Sequence, residues 1–247
     1  IPDSVTTIDN GAFSNTDLLK EIKIPTKNRG EITGEPWENR VGVVYWKDVI
    51  KVDPFIYDAT NKRIVKYIGT TPNAAVNIPN ELEKDGVKYP VESILSYAFH
   101  GADVASVNIP NSITNIDRNA FEGTKNPIDV TFSPNSKLNT IPNGSFAESR
   151  IKSIELPDTI TAIDDNAFKY ANIKKIDIPD SVKRIGDSAF AVSYLEKITF
   201  GSNSKLEEIG ASTFSHSSLN EIKLPETVKS IGAQAFNQTK LKTITIP

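Results

Sequence analysis

The chain of 247 residues carries 28 basic and 31 acidic side chains, a net charge of −3, and neither Cys nor Met. That near balance argues against a nucleic-acid or polybasic membrane surface. The missing Cys excludes a disulfide scaffold, a thiolate metal site and a cysteine nucleophile. No apolar run approaches the roughly 18 residues of a membrane-spanning helix. Ile outnumbers Leu 30 to 11, and β-branched Ile favours strands, so a strand-rich core is expected.

In chain order, Ile1, Pro2, Val5, Ile8, Ala12 and Phe13 set a spacing that recurs. Ile22-Lys23-Ile24 is apolar at alternate positions, and Pro25 closes it. Period-2 alternation marks a short strand with one buried face, and proline belongs where a strand ends. Residues 26–77 break the pattern. Val44-Tyr45-Trp46 lies 22 residues beyond Ile22-Lys23-Ile24, which allows a degenerate coil. The ten further residues could form a hairpin across Asp58-Ala59-Thr60-Asn61. Between Ile78 and Ile94, nine residues are added around Asp85-Gly86-Val87-Lys88. Beyond that, Phe99, Phe121, Phe146, Phe168, Phe190, Phe214 and Phe236 follow at spacings of 22, 25, 22, 22, 24 and 22. The base unit is 22 residues. Two units, at Phe132-Ser133 and Phe200-Gly201, each gain two residues and lose the Ile-Pro pair.

A unit this short cannot bury its own apolar face, whereas stacked units cover one another. In the unit from Ile173, Ile176 and Ile178 form the strand, and Val182 and Ile185 a second buried segment on the return path. The next slot holds Asp9, Asp117, Asp164, Gly186, Gly210 or Gly232, a turn in which Gly would supply positive φ. Ala189-Phe190 then plugs the far side. The expected fold is a leucine-rich-repeat right-handed solenoid, β-rich with little helix. It would have about ten coils, with a curved parallel sheet on the concave face. At about 4.8 Å per strand, that sheet would be on the order of 50 Å long. We read residues 1–247 as one solenoid fragment, cut from a longer solenoid at both ends, with 26–77 an irregular coil plus inserted hairpin. The alternative is an upstream block ending at residue 25, a linker over 26–52 and a second block over 53–247.

The run Ile178-Pro179-x-Ser181-Val182-x-x-Ile185-x-x-x-Ala189-Phe190 resembles the BspA-like (Treponema-type) leucine-rich repeats of bacterial surface proteins. The stretch Phe55-Ile56-Tyr57, Ile64 to Gly69, Ile78-Pro79 and Asp85-Gly86-Val87 also runs in that family's order. The resemblance covers nearly everything except about residues 26–52. It implies an extracellular or cell-surface protein that is not an enzyme. Its partner would be a protein or cell-surface ligand, host extracellular matrix among the candidates, with no nucleic acid, no membrane insertion in this chain and no cofactor. A monomer is expected. Relatives often carry Cys three residues after the Phe; here that slot holds Thr16, Ala102, Thr124, Ser149, Ala171, Ser193, Ser217 and Thr239. Such small residues suit a crowded interior column whose hydroxyls would bond to the neighbouring coil's backbone.

Candidate partner-binding residues fall in two groups. Trp37, Tyr45 and Trp46 sit in the irregular stretch, either as partner anchors or as caps on the degenerate coil. Lys175, Asp177, Lys197, Glu221 and Lys223 form the densest charged patch on the solvent-facing columns of the sheet, either a binding patch or a solvated face. The insertions near 26–52 and 80–90 are candidate binding loops, since rigid scaffolds carry function on loops. Asp164-Asp165 reads as a turn rather than a calcium site, which needs six to eight converging oxygens. His100 and His216 read as surface residues. There is no nucleophile elbow, phosphate loop or zinc spacing. A structural spacer that displays another domain of a longer chain is the rival to a binding module.

Overall fold

The computed structural model describes residues 49–244 and, as backbone alone, the strands Glu21–Ile24 and Val43–Trp46. Trp37 and the rest of the chain to Asp48 lie outside the described residues. Among the described residues there is no helix. They form about six coils, one for each long strand, against the ten or so expected for the whole chain. The ten-period arithmetic covers all 247 residues and counts 49–67 as coil. Instead Val49–Val52, Phe55–Asp58 and Arg63–Tyr67 pair antiparallel in a three-stranded meander. Arg63–Tyr67 then pairs in parallel with Ser93–Ile94, joining the meander to the first coil.

Each coil has three sides. The first holds the long strands. Ala74–Asn77, Val104–Ile109, Ile128–Phe132 and Ile151–Ile154 make one parallel sheet, and Lys175–Ile178 with Lys197–Phe200 a second. Alternate residues point inward, as in Lys175–Ile178, where Ile176 and Ile178 are buried and Lys175 and Asp177 exposed. The second side is the return path, a ladder of two-residue strands. Thr140–Ile141, Ala162–Ile163, Arg184–Ile185, Glu208–Ile209 and Ser230–Ile231 run in parallel register.

The third side carries the Phe residues and follows another backbone rule. Around Phe190 the amides alternate. Ser188, Phe190 and Val192 donate to the next coil, while Ala189 and Ala191 close turns three residues back. Every backbone donor of this segment therefore finds a partner inside the fold. The alternation is made by left-handed residues two before and two after each Phe from Phe99 to Phe236, for example Ser188 (φ 55) and Val192 (φ 55). The rings form one column. Successive centroids from Tyr67 to Phe236 lie 4.9–5.7 Å apart, with planes within 20°. That spacing is close to the rise between paired strands, so the rings stack because the coils do. One continuous apolar core runs from Phe55 to Ala235.

Two expectations about this side are corrected. Gly186, Gly210 and Gly232 do not adopt positive φ. They are glycine because the coils approach too closely for a side chain. A Cβ on Gly210 would sit 2.7 Å from both Asp187 N and Gly186 C. Where the described hydroxyls of this column bond, they bond within their own coil rather than to the next. Ser149 and Ser193 donate to the carbonyls of Phe146 and Phe190 at 2.6 and 2.7 Å, and Thr239 to that of Phe236 at 3.0 Å.

Two hairpins leave the coil. Asp58, fully buried, organises the turn between Phe55–Asp58 and Arg63–Tyr67. It accepts from the amides of Thr60 and Asn61 and pairs with Arg63 Nε at 3.1 Å. The nine added residues form a second hairpin, Glu81–Lys84 with Val87–Pro90. Its tip, Asp85-Gly86, has positive φ at both residues (52° and 76°), the geometry that joins two twisted strands with a two-residue loop.

Candidate functional site

The sheet face is where the exposed charges gather, because the inward half of every long strand is committed to the core. Lys175, Asp177, Lys197, Glu221 and Lys223 are all exposed on it. Register places Lys175 beside Lys197 and Asp177 beside Thr199. Thr199 Oγ1 donates to Asp177, and Lys197 Nζ lies 2.8 Å from Glu221. The hydrogen bond between the last pair holds the Glu221 carboxyl below its usual range and the Lys197 ammonium above its own. The patch is thus a chain of neighbours that partly satisfy one another. Tyr45 and Trp46 pair by backbone with Lys23 and Ile24.

The face ends in a cleft of about 500 Å3, within the range of ligand sites. Three successive coils build it. Ile154 to Leu156 with Asp158, and Asp177 to Asp180, supply two walls where the strands end, and Thr199, Phe200 and Gly201 the third. The cleft lies across the seam where the long strands divide into two sheets. Its third wall is the unit in which Phe200-Gly201 replaces Ile-Pro. Gly201 leaves room for the Asp180 carboxylate, which would have to turn aside for any Cβ there. Of the described candidate residues only Asp177 lines the cleft. Sequence reasoning missed the rest, although the irregular length at Phe200-Gly201-Ser202-Asn203 was the signal that could have found them.

A second exposed feature lies on the Phe side. Tyr170, Val192 and Tyr194 are 50%, 40% and 60% exposed. Tyr170 and Val192 hold the same left-handed slot in adjacent coils, and Lys169 Nζ lies 5.5 Å from the Tyr170 ring.

The remaining polar candidates are structural. Asp165 Oδ1 accepts from Arg184 Nη2 at 3.0 Å and from the amide of Asp187 at 2.9 Å, and Asp187 in turn caps the amide of Ala211 at 2.7 Å. These carboxylates tie coil to coil. His216 is exposed, whereas His100 is half-buried, edge-on to Tyr97 and packed over Gly123. Among the described residues no group of three or more His, Asp or Glu is placed to hold a metal.

A stack of short parallel strands, compact returns and an internal aromatic column, at a 22-residue period, defines a leucine-rich-repeat solenoid. A model of the BspA type leucine rich repeat region matches residues 1–34, 78–197 and 139–247 in six copies, and the chain belongs to that family. Among solved structures, a leucine rich cell surface protein from Faecalibacterium prausnitzii is 28% identical with a TM-score of 0.61, over 80% of this chain and 54% of that one. The pneumococcal vaccine antigen PcpA is 26% identical with a TM-score of 0.51, over 79% of this chain and 49% of that one. The chain therefore spans about half the length of either. No curated protein matches it.

Proposed function

We propose that the chain is a non-catalytic protein-interaction module of a bacterial cell-surface or secreted protein, acting in adhesion. One observation carries the reading: a rigid stack of coils presents an exposed charged sheet face that ends in a cleft. Membership in the BspA type family supports it, as does similarity to a structure described as a cell surface protein. The partner is a protein, with host matrix proteins the first to test, and the chain acts as a monomer within one continuous solenoid. Lys175, Asp177, Lys197, Glu221 and Lys223 form the candidate face, with Trp37, Tyr45 and Trp46 in the irregular stretch as a second candidate.

The spacer reading has its own support. The exposed charges pair with one another, as in Lys197 with Glu221 and Lys152 with Asp129 at 3.3 Å, so the face is nearly satisfied without a partner. Solid-phase binding to a panel of matrix proteins separates the two. An adhesion module binds at least one of them saturably and loses affinity when Lys175 and Lys223 are changed to Glu. A spacer binds none.

A further inference from the structure

The cleft is sided in both charge and polarity. Leu156, Pro179 and Phe200 contribute apolar surface, and Glu155, Asp158, Asp177 and Asp180 contribute four carboxylates. Neither Lys nor Arg lines it. Three lysines at or just before the starts of the same strands face other acids, while Lys175 stands exposed on the Asp177 face. Lys152 pairs with Asp129, Lys174 with Glu196 at 3.7 Å, and Lys197 with Glu221. Lys197 also feels Asp177, and Lys175 shares the exposed face of the Asp177 strand, so these two cations offset the four carboxylates only in part and the strand ends keep a net negative field over an apolar floor. Glu155, Asp158 and Asp177 are exposed, while the Oδ1 of half-buried Asp180 is shut from solvent with no hydrogen-bond partner among the described residues. Low-dielectric walls concentrate such a field and attract the opposite charge.

We propose that this cleft receives an extended segment of a partner protein in which lysine or arginine sits beside an apolar residue. Charge complementarity selects the cation and fixes its register. The apolar floor selects the neighbour, and it also accepts the methylene stem of a lysine whose ammonium reaches the rim. The inference rests on the protein-interaction reading and names the chemistry of the partner at one site.

The test is fluorescence anisotropy of the intact chain with three labelled nonapeptides, alternating Leu-Lys, Leu-Glu and Ser-Lys. The Leu-Lys peptide is expected to bind at least tenfold tighter than either control, and to weaken severalfold between 50 and 500 mM NaCl as screening takes hold. The triple variant Glu155→Gln, Asp158→Asn, Asp177→Asn is expected to lose about tenfold in affinity, each exposed charge contributing a small share. Asp177→Lys, a single exposed change that places a cation in the cleft, should compete with the peptide by a similar factor. Circular dichroism of both variants verifies the fold. Equal binding of the Leu-Lys and Leu-Glu peptides, or an unaltered triple variant, overturns the proposal. Equal binding of the Ser-Lys peptide overturns the role of the floor. Matrix binding that survives the triple variant, without any preference among the peptides, sinks the cleft and leaves the adhesion reading standing. Selective peptide binding without matrix binding does the reverse.

Discussion

Truncating the aromatic column at its middle should hurt far more than truncating it at its end. Phe190 is fully buried between Phe168, 5.1 Å away at 2°, and Phe214, 5.7 Å away at 8°. Removing its ring forfeits about 1.5–3 kcal/mol of apolar burial and two stacked pairs of about 0.5–1.5 kcal/mol each. Phe190→Ala should therefore cost about 3–5 kcal/mol, in line with a cavity left in a close-packed core. Phe236 is only partly buried and has one ring neighbour, Phe214 at 5.3 Å. Phe236→Ala should cost about 1.5–3 kcal/mol by the same terms. Chemical denaturation followed by circular dichroism measures both. In a domain of this size the Phe190 loss corresponds to a fall of about 6–20 °C in Tm. The transition should also broaden, because coils couple only to their neighbours and an interior lesion divides the stack. Equal losses at the two positions, or a loss below about 1 kcal/mol at Phe190, would refute the idea that the column couples the coils.

Three further expectations concern the backbone and one buried phenol. Gly210→Asn should cost about 3 kcal/mol because the coils must part around the new Cβ, whereas Gly101→Asn, at φ +71 in open space, should cost under about 1 kcal/mol; similar losses by thermal melting would show the distinction to be wrong. Val192→Gly should stabilise the chain by about 0.5–1 kcal/mol, relief of left-handed strain outweighing the entropy of glycine; a loss in Tm would mean the exposed Val side chain packs after all. Tyr57 donates its hydroxyl to Pro90 O, and burial first, then Glu92 and Tyr89, push its pKa from 10.0 up to about 12. The folded chain thus keeps this proton after the unfolded chain has lost it. Its contribution is complete below pH 10 and falls by about 2–3 kcal/mol as pH rises to 12. Denaturation midpoints of wild type and Tyr57→Phe should converge over that window, and parallel curves would contradict the burial.

The period and its apolar slots were legible because each is a repeated local demand. Alternating Ile at 176 and 178, and the Ile185 and Phe190 slots, land in the core where the spacing puts them. What escaped was whatever depends on the gap between coils. Gly210 looks in sequence like a turn glycine, and only the separation from Asp187 and Gly186 shows otherwise. The left-handed slots were hidden because their occupants, among them Asn119, Glu148, Val192 and Gln234, share no residue type. The resemblance suggested protein binding, but it offered no site. The cleft arises from three coils ending side by side, and single-unit patterns are blind to that arrangement.

The hydrogen bonds that join coils on all three sides run along the stack, at right angles to the chain. Tension applied along the stack therefore loads them in series, and the weakest rung opens first. The coils should peel one at a time, like a zipper, rather than resist together in shear. Each released coil of 22 residues extends from about 5 Å to about 75 Å of chain. Under flow, such a solenoid lengthens stepwise and absorbs work at each step while the coils beyond the break stay folded.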